Sequence, residues 1–306
     1  MNAILQAVSS RYLAVPPGLR GVGLMLFSVF TFACMHATIQ LVAREGLHPF
    51  EIAFFRNFFG LVFLVPVLAR NRFRDLRTSR PGLHAARGFI QVGAMLSFFY
   101  AVSITPLATT AALSFTAPLF GVIGAAVVFR ERLGRDRLIA LAVGFAGALV
   151  IIQPGFIPIE LGAILIVGST VFWAAAMMCI KVLTRTDSAS AIAAYMVIYL
   201  TPLTGIAAFF VWQWPTPEQF LLLLLIGAFG TLAHITFNQA MKEADASAIL
   251  PLDFTKLIWG AVLGYLLFGQ VPGIWVFAGG TMIFVAASWV ARSEAMARKA
   301  KAPPKP

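Results

Sequence analysis

FTAPLFGVIGAAVVFRERLG (115–134) and FTKLIWGAVLGYLLFGQVPG (254–273) are the two stretches on which the fold turns. Each opens on Phe-Thr. Gly121, Phe129 and Gly134 then follow in the first at the spacing of Gly260, Phe268 and Gly273 in the second. A weaker echo lays Gly21, Gln40 and Arg44 over Gly162, Lys181 and Arg185. Each stretch lies in an apolar run of the length that crosses a bilayer, roughly 20 residues. The repetition predicts two copies of one helical unit.

Composition says what surrounds that unit. The 306 residues are 60% hydrophobic and 11% charged, with a mean hydropathy of +0.88. Soluble domains run at about 45–50% apolar and about 25% charged, and a domain of this size has too little interior to hide the excess. The excess faces lipid. Apolar runs at 21–43, 50–69, 81–103, 107–129, 138–153, 161–183, 190–212, 219–240, 247–268 and 273–291 predict an all-α polytopic membrane protein with ten transmembrane helices. The runs are too long, and alternate too little, for an outer-membrane barrel. Connections are short, with turn residues at Gly46 and Pro49, Pro106, Pro154-Gly155, Pro215 and Pro217, and Pro272-Gly273.

Basic residues orient the spans. With the N-terminus cytoplasmic, 18 Lys and Arg fall on the inner side and only Arg44 on the outer, the asymmetry expected of a cytoplasmic face. The net charge of +11 therefore reports topology, and nucleic acid is not an expected partner. Some of these arginines can touch anionic lipid headgroups. The expected organisation is a cytoplasmic lead (1–20), two five-helix units (21–153 and 154–292) and a basic cytoplasmic tail (293–306). The location is the inner (plasma) membrane with both termini inside. Five is odd, so the second unit enters the membrane from the opposite face. Inverted repeats are a design of secondary transporters, with substrate held between the halves near the midplane.

Other chemistry is missing from the sequence. Cys34 and Cys179 sit in apolar runs without metal-ligand spacing. No HExxH pair, GxGD-like dyad or GxxxxGK[ST] loop occurs, so neither an enzyme, a metal, a cofactor nor ATP hydrolysis is expected. Ion or exchange coupling must then drive any uphill movement.

Ionisable groups inside spans mark candidate sites. Asp253 and Lys256 stand about one turn apart on the ninth span and share a face. Their counterparts in the first copy are Ser114 and Ala117, so the charges belong to one half only. Arg56 and Arg87 lie about a turn and a half inside their spans and can grip a carboxylate or phosphate. Glu51 and Lys181 lie near span ends, within snorkelling reach of water. The expected substrate-binding set is Asp253, Lys256, Arg56, Arg87, Gln40, Tyr100, Trp173, His234, Asn238 and Trp259, with His36, Gln91, Tyr195 and Tyr199 as further lining. Asp253, ahead of Glu51, is the expected coupling carboxylate. Pro118, Pro202 and Pro251 are expected hinges, because an internal proline frees a carbonyl and bends a helix.

PFEIAFFRNFFG (49–60), RGFIQVGAMLSFFYAVSITPLATTAALSFTAPLF (87–120), FRERLG (129–134) and ILPLDFTKLIWGAVLGYLLFGQVPG (249–273) resemble the drug/metabolite transporter superfamily, specifically its EamA-type members. The look is closest to the branch holding S-adenosylmethionine and riboflavin uptake carriers. The resemblance implies a ten-helix basket around a central cavity, with peripheral fifth and tenth helices that often form homodimer contacts. It implies a secondary active transporter of a small polar or amphipathic metabolite, working by alternating access. Export of amino acids or metal-chelating metabolites is the alternative. A membrane-embedded enzyme or a channel is a different class with little in the sequence behind it.

Overall fold

The computed structural model describes residues 16–70, 78–129, 134–156, 158–183, 185–187, 189–244 and 250–301. Its helices are α1 (Pro17–Arg44), α2 (Pro49–Arg70), α3 (Pro81–Ile104), α4 (Leu107–Ser114), α5 (Ala117–Phe129), α6 (Arg135–Ile152), α7 (Leu161–Leu183), α8 (Ala189–Phe209), α9 (Pro217–Glu243), α10 (Thr255–Phe268) and α11 (Ile274–Lys301). A 3-10 turn, Leu250–Phe254, leads into α10. By length and composition, five stretches suffice to cross a membrane: Gly18–Arg44, Pro81–Ile104, Leu107–Val128, Leu161–Leu183 and Pro217–Met241.

Local chemistry sets the boundaries. Proline opens α1, α2, α3 and α9, where its missing N–H is not needed. Thr216 and Gln219 close a capping box on α9. Gly269, at φ 65°, ends α10 in the left-handed region that glycine tolerates.

Two expected spans are not continuous helices. The fourth, 107–129, breaks into α4 and α5 at Phe115-Thr116, where Pro118 cannot donate back into the preceding turn. The ninth begins as the 3-10 turn holding Pro251, and its predicted start, 247–249, lies outside the described residues. The breaks fall at matching places in the two quoted stretches. Thr116 Oγ1 donates to the Leu113 carbonyl at 2.8 Å, and Thr255 Oγ1 to the Leu252 carbonyl at 2.7 Å. A further difference lies at the C-terminal side, where α11 continues to Lys301 through much of the expected tail.

Packing repeats the same correspondence. The largest contacts join α1 to α9, α3 to α7, and α6 to α11; α2 packs on α8. Gly21 of α1 abuts Ala244, and Gly162 of α7 abuts Thr105, the residue matching Ala244 in the other half. Between α6 and α11, Gly144 faces Ala286 and Gly147 faces Ile283. A methyl group at Gly147 would stand 2.7 Å from the Gly279 carbonyl oxygen, so small residues are what let these backbones approach. Leu113, Leu119, Ile166, Leu257 and Ile283 form one buried cluster; Ile39, Ile52, Leu223 and Ile226 form another. Val127, Ile206, Phe209 and Leu266 face outward instead, as lipid-facing residues do.

Candidate functional site

The polar centre of the bundle is built from six elements. The 3-10 turn and α10 supply Asp253 and Lys256, whose Oδ1 and Nζ lie 2.5 Å apart, each side chain 27% exposed. The break in the ninth span is what puts Asp253 in a turn and Lys256 in the first turn of the helix that follows. The Lys256 ammonium also sits 5.5 Å from the centre of the Phe32 ring of α1, within cation–π range.

Phe32 is the hub of the wall. His234 of α9 meets it edge-on at 5.0 Å, and His36, one turn further along α1, lies 6.4 Å away. His36 in turn meets Phe98 of α3 at 5.2 Å. Both imidazoles lie within electrostatic reach of Arg56 and Lys256. His234 and Asn238, one turn apart on α9, are both exposed.

Arg56 enters from α2. Its Nη1 donates to Asn57 Oδ1 at 3.1 Å, and Asn57 Nδ2 is held by the Ala53 carbonyl (2.9 Å), Met95 Sδ and Thr204 Oγ1. The guanidinium passes over Gly230 of α9, where a Cβ would come within 3.1 Å of Arg56 Nε. Among the described residues Arg56 has no acidic partner. Chemically this is a cationic, aromatic-walled cluster with one internal ion pair. No group of His, Cys, Asp and Glu able to hold a metal occurs among the described residues.

The EamA-like transporter family matches residues 19–153 and again residues 160–292. This chain belongs to that family. It is a multi-pass membrane transport protein and not an enzyme. The transporter is 31% identical to the riboflavin transporter of Vibrio cholerae serotype O1, over 90% of this chain and 94% of that one. It is 30% identical to the riboflavin transporter of Brucella anthropi, over 88% and 98%. The S-adenosylmethionine uptake transporter of Rickettsia bellii is 28% identical, over 92% and 96%. A crystal structure sharing 15% identity superposes with a TM-score of 0.60 over 93% of this chain and 100% of that one, a likeness of fold.

The structure brings Arg56, His234, Asp253 and Lys256 of the expected set to one centre. Trp259 packs edge-on against Phe30 at 4.8 Å, next along α10. Trp173 is exposed on α7. The other expected residues tie helix ends. Gln40, 1% exposed, donates through Nε2 to the Thr105 carbonyl (2.9 Å) and accepts from Gln270 Nε2 (3.0 Å). Gln270 Oε1 accepts from the otherwise orphaned Leu107 N–H at the start of α4. Glu51 Oε1 accepts the Gln213 N–H at 2.7 Å, while its Oε2 is buried without a hydrogen bond. Tyr100 stands beside His48 and Phe50 at this same end.

The opposite end, that of the chain termini, has its own ties. Arg87 Nη1 donates to the Ile192 carbonyl at 2.8 Å. His84 and Thr78 both bond Asp187 Oδ2, and the His84–Asp187 pair, 2.7 Å apart, is closed off from solvent. The Thr78 hydroxyl first, then His84, hold the Asp187 carboxyl below the usual carboxylate range. Tyr195 stacks on His84, and Tyr199 on Tyr195. Of the expected hinges, Pro118 and Pro251 sit at the two breaks, and Pro202 lies inside α8.

Phe32, Phe98 and Asn57 were not on the expected list. Phe32 was legible in part: with His36 and Gln40 it makes a stripe of every fourth residue on α1, one face of a helix. Asn57 acts only through Arg56, and no spacing announces that.

Proposed function

We propose that the chain is a secondary carrier of a small polar or amphipathic metabolite, cycling by alternating access between two inverted five-helix units of a ten-helix bundle. The matched breaks in the fourth and ninth spans support the repeat. So do the reciprocal contacts Gly144–Ala286 and Gly147–Ile283, since a two-fold pairs each position with its partner's equivalent. The lopsided distribution of basic residues supports an inner-membrane location with both termini cytoplasmic.

The observation that carries the function is the Asp253–Lys256 pair, partly open, with its ammonium over the Phe32 ring. Discontinuous helices near the midplane are where such carriers hold substrate and coupling ion. In this reading Arg56, Lys256, His234, Asn238 and Trp259 line the cargo site. Asp253 is the coupling carboxylate: protonating it, or offering Lys256 another anion, dissolves the pair and changes the balance between states. Glu51, bonded at a helix end, is the secondary candidate. Gln40, Tyr100 and Arg87 act at the ends of the cavity, where it opens and closes.

Riboflavin and S-adenosylmethionine are the cargoes named for relatives and the first to test. Cells producing the chain are expected to take up one of them from the medium. Asp253→Asn and Lys256→Met should each reduce uptake to background while membrane insertion stays intact. Uptake by Asp253→Asn at the parental rate would remove that carboxylate from the mechanism.

A further inference from the structure

We infer that the central cluster selects cargo by charge: it takes a planar ring carrying an anionic or strongly accepting group, and it turns cations away. This rests on the carrier reading above and names the substrate class of that same site.

The charge count comes first. Among the described residues the centre holds two permanent cations, Arg56 and Lys256, and one acid, Asp253. The acid is already engaged by Lys256. Glu51, the acid on the same helix as Arg56, is turned to the Gln213 backbone. Arg56 is thus positioned by Asn57 but not neutralised. A half-buried guanidinium without an acid still gives up part of its hydration, and a ligand that supplies the acceptor offsets that loss. The planar guanidinium presents paired N–H donors that match carboxylate, phosphate or adjacent ring carbonyls.

The walls set the shape. His234, Phe32, His36 and Phe98 are four flat rings linked in a chain, each to the next, and flat rings favour an offset or edge-on planar partner. Aromatic faces can also attract cations. Here, however, the Phe32 face is already approached by Lys256, which would repel a second positive charge.

The test reads the local potential directly, without assuming a cargo. In the full-length chain in lipid nanodiscs, Cys34 and Cys179 are replaced by Ser and a single cysteine is placed by Asn238→Cys. Its rates with an anionic and a cationic methanethiosulfonate reagent are compared with those of a free thiol. The anionic reagent should be favoured over the free-thiol ratio. Arg56→Gln should lower that preference at least about tenfold, and Arg56→Lys, which keeps the charge, should retain most of it. A free-thiol ratio that Arg56→Gln does not move would overturn the charge filter. No reaction at this cysteine would instead overturn the open cavity of the carrier reading. Flavin mononucleotide, planar and anionic, should slow the labelling more than S-adenosylmethionine, a sulfonium cation. Stronger protection by the sulfonium would also overturn the inference.

Discussion

Phe115 and Phe254 touch, ring centres 5.6 Å apart and planes inclined by 30°. Each is the first residue of its quoted stretch, and each sits where its span breaks. Contact between two such matching residues is what a two-fold relation between the halves would produce. The helices α6 and α11, and α2 and α8, also hold matching places in the two halves, and they pack on one another. The broken fourth and ninth spans therefore face one another, and the charges of only one, Asp253 and Lys256, make the centre asymmetric.

Gly147 is expected to tolerate no side chain. Gly147→Leu would drive its branches into the Gly279 carbonyl and into Met282 and Ile283. Overpacking of this kind costs about 1–3 kcal/mol. A lower melting temperature in detergent is the readout, and Gly124→Ala, which has Met178 at an ordinary 3.6 Å, is the control that should melt like the parent.

The tie between Gln40 and Gln270 is expected to open during transport, because it joins α1 of one half to the end of α10 in the other. With Cys34 and Cys179 replaced by Ser, a Gln40→Cys, Gln270→Cys pair should cross-link on oxidation. Uptake of whichever cargo the cells are found to import should fall to background and return on reduction. Full uptake by the cross-linked protein would show the contact to be static.

Asp187 is expected to make the stability of the transporter fall in acid. Its carboxyl is held below its usual range by Thr78 and His84. A depressed carboxylate contributes stability above its unfolded pKa, about 3.9, and loses it as pH drops through the lower folded value. The melting temperature of the parent should exceed that of Asp187→Asn at neutral pH. The gap should narrow below about pH 4. A constant gap from pH 7 to pH 3 would mean that the carboxylate's charge is not what matters.

Much of the protein can be read from one dimension. Hydropathy over whole segments places helices in lipid, because the energetic demand acts on every residue of a span. The Phe-Thr stretches repeat at one spacing, and Arg56, Asp253 and Lys256 stand out as charges inside apolar spans. What one dimension does not carry is partnership. Gln40 and Arg56 look alike as polar residues inside apolar spans. The first is spent on Thr105 and Gln270, 65 and 230 residues away, while the second has no acid beside it among the described residues. Arg87 likewise closes on the Ile192 carbonyl, and Glu51 on the Gln213 N–H. Whether a buried polar group is satisfied depends on which carbonyl or amide of a distant helix arrives beside it, and only the packing of the two halves decides that.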